Sequence, residues 1–221
     1  MKDLSIAQEY LLCSLNEKGK FPIFGREQPV GFVAAALLDL LENKFVHIQD
    51  KKIILDRELD QVHGYLSPIY ELTRNAKKKS LNEIAEKYAF GLTDRNMNDL
   101  MKSVGDTLVS SGCAEERSQT NLFNRGQKYI VPKKTCVDNI IQRIRAELLE
   151  EGAISDETIA MTALLNKGGQ LKQYFSKYES EELNKRLREI KDSAPNQMIK
   201  QMVDYIDQVT AAIIAVAVMP K

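Results

Sequence analysis

Few residues in this chain have the types and spacings that do chemistry. His47 and His63 are the only histidines. A metal centre needs further Cys, His or carboxylate ligands at short spacing, and neither histidine has them in sequence, so both read as surface or turn residues. Cys13, Cys113 and Cys136 are odd in number and widely spaced. That is neither a disulfide framework nor a metal pattern, and a reducing compartment is expected. The chain has no Gly-x-Gly-x-x-Gly and no Walker loop. Gly168-Gly169 follows a helical stretch and reads as its stop. Ser110-Ser111-Gly112-Cys113 has no base paired with it in sequence and reads as a helix end. Glu150-Glu151 and the carboxylates of 179–182 read as solvated helix ends. The expectation is a protein that is not an enzyme, with no catalytic residue, no metal and no cofactor.

The basic residues carry the better signal. Arg26 lies in a loop before an apolar helical stretch, and Lys77-Lys78-Lys79, Arg95 and Lys102 surround a second one. Arg117, Arg125, Lys128, Lys133 and Lys134 belong to or flank a hairpin whose polar turn holds Leu122-Phe123. An apolar pair flanked by cations suits an interfacial membrane contact, where insertion and attraction to anionic head groups add. Leu122, Phe123, Arg125 and Lys128 are therefore the candidate membrane or partner hairpin. The bland reading is a Leu-Phe pair folded back on the bundle with solvated lysines beside it.

Composition sets the frame. The chain has 221 residues, 43% of them hydrophobic, which is enough for a sizeable core in one domain or two small ones. Lys+Arg and Asp+Glu are equal at 31 each. This balance argues against the global electrostatic pull of a nucleic-acid binder and makes nucleic acid an unlikely partner, while leaving room for a local patch. The N-terminus lacks the long apolar core of a secretory signal. The most apolar run, Ala211 to Met219, is much shorter than the roughly 20 residues a spanning helix needs. A cytoplasmic protein, at most peripheral to a membrane, is expected.

The elements that must position these residues are mostly helical. Ser5 and Gln8 fit a capping box that opens a helix with Ile6, Tyr10, Leu11 and Leu15 on one face, stopping near Gly19. Residues 21–29, with two prolines and Gly25, read as a loop or irregular strand. The stretch from Gly31 is rich in Ala and Leu and apolar nearly all round, so it should be a buried helix that stops at Asn43-Lys44. Phe45, Val46 and Ile48, then Ile53, Ile54 and Leu55, flank a polar turn and read as a hairpin. Residues 56–72 read as a helix interrupted near Gly64 and Pro68. Ser80 and Glu83 form a second capping box, and Thr93 or Asp94 caps a helix that ends at Gly112. A hairpin follows, so the helix–hairpin order recurs. It raises the alternative of a winged-helix-like nucleic-acid-binding regulator. Further helices are expected over 135–151, from Ser155 to Gly168, over 171–175 and over 180–191. Pro195 should start a last helix whose second half lies at the centre. The class is mainly α: a helical bundle around a buried C-terminal helix, with two or three short β-hairpins, one protruding.

Leu4-Ser-Ile-Ala-Gln-Glu-Tyr-Leu-Leu12, the helix–hairpin from Gly31 to Ile48, Leu108-Val-Ser-Ser-Gly-Cys113 with its hairpin, and Ser155-Asp-Glu-Thr-Ile-Ala-Met-Thr-Ala-Leu-Leu165 occur in a telling order. In that order and spacing, completed by the apolar C-terminal helix, the chain resembles the Golgi phosphoprotein 3 family over nearly its whole length. The resemblance implies a single domain over 1–221, like a compact, prokaryote-like member without the disordered N-terminal extension. For eukaryotic members it implies a peripheral protein on the cytoplasmic face of the Golgi. Such members bind phosphatidylinositol 4-phosphate and the tails of glycosyltransferases, as adaptors. It further implies a lipid head-group pocket. The family's Trp falls at Phe24, and its three Arg positions fall at Val33, Asn98 and Met101. Phe24, Arg26, Arg95 and Lys102 are thus the candidate head-group residues, with the three cations standing in for the missing arginines. An anionic or phosphoinositide membrane surface is the expected partner, together with a protein partner or self-association through the hairpin.

Overall fold

The computed structural model describes residues 4–22, 27–50, 52–89, 95–119, 126–150 and 152–193, together with Asp204, Asp207 and Ala211. The expected C-terminal helix lies outside the described residues, apart from those three positions. The architecture is mainly α with two small antiparallel hairpins.

Helix α1 (Ile6–Ser14) opens on the expected capping box: the Gln8 amide donates to Ser5 Oγ, and the Ser5 amide donates to Gln8 Oε1 at 2.9 Å. The next two orphan amides are also satisfied. Ile6 N and Ala7 N donate to the two carboxylate oxygens of Asp39 at 3.0 and 3.2 Å. The helix is buried nearly all round rather than on one face, and it packs against four other helices. Its polar residues explain why one-faced burial was expected and why it is not found. Glu9 is 5% exposed and is clamped by Arg143 from a distant helix, with Nη1 at 2.8 Å from Oε1. The bidentate pair makes burial of the carboxylate tolerable. Helix α1 also ends earlier than expected, because Leu15 is already extended.

Helix α2 (Glu27–Glu42) begins before Gly31, and Pro29 lies inside it rather than in a loop. Proline fits in a first turn, where its missing N–H would have had no intrahelical partner. Every residue from Val30 to Leu40 is buried. Gly31 is required there, because a Cβ would overlap the Tyr10 hydroxyl where α1 crosses α2. Lys44 takes a left-handed φ of 57° at the helix end, and Phe45 N bonds Leu40 O at 2.9 Å. The first hairpin follows: β1 (Val46–Gln49) pairs with β2 (Lys52–Leu55) in the register Val46 to Leu55. Phe45, Val46 and Ile53 are buried beneath it.

Residues 56–63 are not helical, contrary to expectation. Two local interactions compete with the helix. Asp60 Oδ1 accepts from the His63 backbone at 3.0 Å. The Arg57 guanidinium donates to Asn43 O at 2.9 Å and lies 4.2 Å over the Phe45 ring, holding this segment against the first hairpin. A 3-10 turn (Gly64–Leu66) then leads into α3 (Ser67–Arg74), with Pro68 in its first turn. In the connector to α4 (Leu81–Ala89), Glu83 N donates to Ser80 Oγ as expected. The Glu83 carboxylate turns away from Ser80 and accepts from the amides of Lys77, Lys78 and Lys79.

Helix α5 (Arg95–Ser110) ends at Gly112, whose φ is 77°. Strand β3 (Ala114–Gln119) pairs with β4 (Gln127–Pro132) in the register Ala114 to Pro132. Gly105 on α5 leaves room for Ile130, whose Cδ1 would lie 2.9 Å from a Cβ there. Helix α6 (Lys134–Leu148), α7 (Asp156–Lys167, capped by Ser155), α8 (Leu171–Tyr174) and α9 (Lys177–Ser193) complete the described elements. Arg145 ties α6 to α9 through Glu179 at 2.7 Å and to α8 through Tyr174 O at 2.9 Å. Lys191 and Lys167 hold Asp207 at 3.3 and 2.7 Å, so part of the C-terminal segment sits beside α7 and α9. The buried apolar residues form one contiguous cluster running from α1 to α9.

Cys113 and Cys136 form a disulfide, with Cα atoms 5.6 Å apart. The expectation of unpaired cysteines fails at these two positions. They are far apart in sequence, but the hairpin doubles the chain back and brings its two roots together. Cys13 alone is a free thiol; it is buried in α1, and burial pushes its pKa up.

Candidate functional site

The candidate residues come from two places: α5 and the hairpin that follows it. Arg95 is the first residue of α5 and Lys102 lies two turns on, so both project from one exposed face. Each has an acidic neighbour one turn ahead. Arg95 Nε lies 3.6 Å from Asp99, and Lys102 Nζ 2.6 Å from Asp106. The Asp106 hydrogen bond is the main reason the Lys102 ammonium titrates above its ordinary value, with Glu116 of β3 adding to it.

The hairpin carries ion pairs of its own. Lys128 on β4 reaches diagonally across the strands to Glu116 Oε1 at 2.7 Å. Arg117 Nη2 lies 3.3 Å from Glu115. The described part of β3 beyond Ala114 is exposed, and β4 is only half-buried from Tyr129 to Pro132, with Ile130 against Gly105 of α5 and Tyr129 against Gly19. The hairpin thus projects beyond its root with one charge pair on each face, Lys128–Glu116 on the face that carries Ile130 and Arg117–Glu115 on the other. Exposed pairs of this kind contribute roughly 0–1 kcal/mol. Their lysines can therefore be exchanged onto a phosphate without a large loss of stability.

Of the predicted head-group residues, Arg95 and Lys102 share a helix face; Phe24 and Arg26 lie outside the described residues. Of the predicted hairpin residues, Lys128 is in β4; Leu122, Phe123 and Arg125 lie outside the described residues. The positions where the resemblance calls for arginine are instructive. Val33 is 1% exposed inside α2, and Met101 packs against the core. Only Asn98 is exposed, and it carries no charge.

The histidines are engaged locally. His47 Nδ1 lies 2.7 Å from Asp56, and His63 Nδ1 2.7 Å from Asp60. The lysines of 77–79 carry backbone amides that serve Glu83, and the side chains of Lys77 and Lys78 are exposed. Helix α2 is too deeply buried to enter a nucleic-acid groove, which weighs against the winged-helix alternative. No described helix is long and apolar enough to cross a membrane.

Comparison with known families shows that the model of the Golgi phosphoprotein 3 (GPP34) family matches residues 6–208. The chain belongs to that family. A search of curated proteins found no match.

Sequence reasoning missed the Cys113–Cys136 bond. The signal was present: Cys113 stands at the start of the hairpin, and Cys136 four residues past its second strand, in the first turn of the next helix.

Proposed function

We propose that this chain is a non-enzymatic peripheral membrane or adaptor protein, acting as one domain on the cytoplasmic face of a membrane. Its contact surface is the β3–β4 hairpin with the adjoining face of α5. The observation that carries this is a hairpin projecting beyond its disulfide-bonded root, with exposed Lys128 paired to Glu116, next to an α5 face on which exposed Lys102 is paired to Asp106. At an anionic surface both ammonium groups turn to lipid phosphates, while Leu122 and Phe123 enter the interface. Buried Val33, core-packed Met101 and neutral Asn98 supply no cation to an inositol phosphate. Affinity therefore follows surface charge density more than head-group identity.

Vesicle co-sedimentation tests this. The chain should pellet with vesicles rich in phosphatidylserine and with vesicles carrying phosphatidylinositol 4-phosphate at matched charge, and stay in solution with phosphatidylcholine. The variant Leu122→Asp with Phe123→Asp should lose most of this retention. Failure of both anionic vesicles to retain the protein would remove the membrane reading and leave a protein partner as the hairpin's target.

A further inference from the structure

The disulfide sits where it can govern the contact hairpin. Cys113 lies in the turn between α5 and β3, and Cys136 in the first turn of α6. Between them runs the whole β3–β4 hairpin, so the bond closes a loop around it. Beside the bond Lys133 N donates to Cys113 O at 2.8 Å, next to the Ala114–Pro132 pair that begins the ladder. Beyond this base the described strand β3 is exposed, and β4 is half-buried, with Ile130 against Gly105 of α5 and Tyr129 against Gly19.

The two sulfurs differ in surroundings. Cys113 is 5% exposed, whereas Cys136 is partly exposed. Cys136 is the third residue of α6, and the N-cap residue Lys133 makes no side-chain cap bond. Cys136 thus lies in the first turn of a helix without a capping side chain at its N-cap, and a helix N-terminus favours a thiolate.

We propose that the Cys113–Cys136 bond is a reversible redox latch that sets the rigidity of the β3–β4 hairpin. Its reductant is a dithiol. One reductant thiolate attacks the accessible Cys136 Sγ. A new S–S bond forms as the Cys113–Cys136 bond breaks, and its electron pair leaves on Cys113 Sγ, which takes a proton. The second reductant thiol then attacks the reductant's own sulfur in the mixed disulfide and expels Cys136 Sγ, stabilised as thiolate by the α6 N-terminus. Two electrons and one proton pass to the protein, which holds Cys113 as thiol and Cys136 as thiolate, and the reductant, having entered as a monoanion, leaves as a cyclic disulfide. Oxidation by a disulfide of the same class reverses the steps. In a reducing compartment such a bond is transient and regulatory rather than a permanent staple. As a regulator of membrane contact the latch rests on the function proposed above; as a control on the hairpin's rigidity it does not.

The experiment is thiol counting with hydrogen–deuterium exchange, and no lipid is needed. Purified without reductant and alkylated in denaturant, the chain should carry one label, on Cys13. After dithiothreitol treatment it should carry three. Amides of β3 and β4 should exchange about tenfold faster or more in the reduced protein, while those of α2, β1 and β2 stay unchanged. Cys136→Ser should exchange like the reduced protein and ignore reductant. Three labels before reduction would overturn the proposal. So would equal protection of β3 and β4 in the oxidised and reduced protein. Vesicle retention measured on both forms then reports the membrane reading separately.

Discussion

The two helix–hairpin units of this protein share a local plan and differ in burial. In the first, α2 is sunk in the core and the hairpin β1–β2 covers Phe45 and Ile53, so the unit is part of what holds the protein together. In the second, α5 buries one stripe (Leu100, Val104, Leu108) and shows the rest, and β3–β4 is secured at its root by a disulfide while its strands carry exposed charge pairs. The same order of elements thus serves two ends. A helix that is apolar all round must be buried, whereas an amphipathic one leaves a face for contact.

Mutations separate the two. Phe45→Ala removes a fully buried ring under the first hairpin and should lower stability by about 3–5 kcal/mol in chemical denaturation. Ile130→Ala, at the half-buried seat of the second hairpin, should cost about 1–2 kcal/mol. Equal costs would erase the distinction between a core hairpin and a peripheral one.

A second difference lies in pH. Burial pushes Asp39 of α2 up to about 7, although the α1 amides it serves pull the other way. Between its unfolded value near 4 and its folded value near 7, the folded protein holds a proton that the unfolded chain has lost. This contribution to stability is fully present below about pH 4 and falls away as pH rises through 7, by up to about 1.4 kcal/mol per pH unit. Thermal melts from pH 5 to 8 should show a falling Tm, and Asp39→Asn should flatten that slope. Glu179, on the periphery, is opposite in sign. The Arg145 guanidinium holds it down to about 2, so its contribution disappears only as pH falls below about 4.5. The smallest stability effect belongs to the contact face itself. Lys102→Glu with Lys128→Glu should change stability by no more than about 0.5 kcal/mol per site, because both side chains are exposed.

Much of this fold is written in short-range patterns. The capping box at Ser5, the N-cap at Ser155, the all-apolar run of α2, and both hairpins follow from neighbours a few residues apart. What could not be read locally depends on partners far along the chain. Helix α1 reads as one-faced because Glu9 is charged, and its neutralising partner Arg143 is 134 positions away. Residues 56–63 have helix-compatible composition, but Arg57 finds the Phe45 ring and the Asn43 carbonyl and lies along the first hairpin instead. The cysteines look unpaired until the second hairpin folds. The candidate site was legible as a list of cations; that Lys102 pairs with Asp106 along its own helix and Lys128 with Glu116 across the strands follows only from the fold.

The most direct test of the central claim compares the two hairpins at a membrane. Vesicles rich in phosphatidylserine should retain the Lys44→Glu, Lys52→Glu variant of the first unit nearly as well as the parent. They should retain the Lys102→Glu, Lys128→Glu variant about tenfold less or weaker, since each lysine near an anionic surface contributes about 1 kcal/mol. Equal retention of the two variants, or a greater loss from the first, would contradict the assignment of membrane contact to the second hairpin.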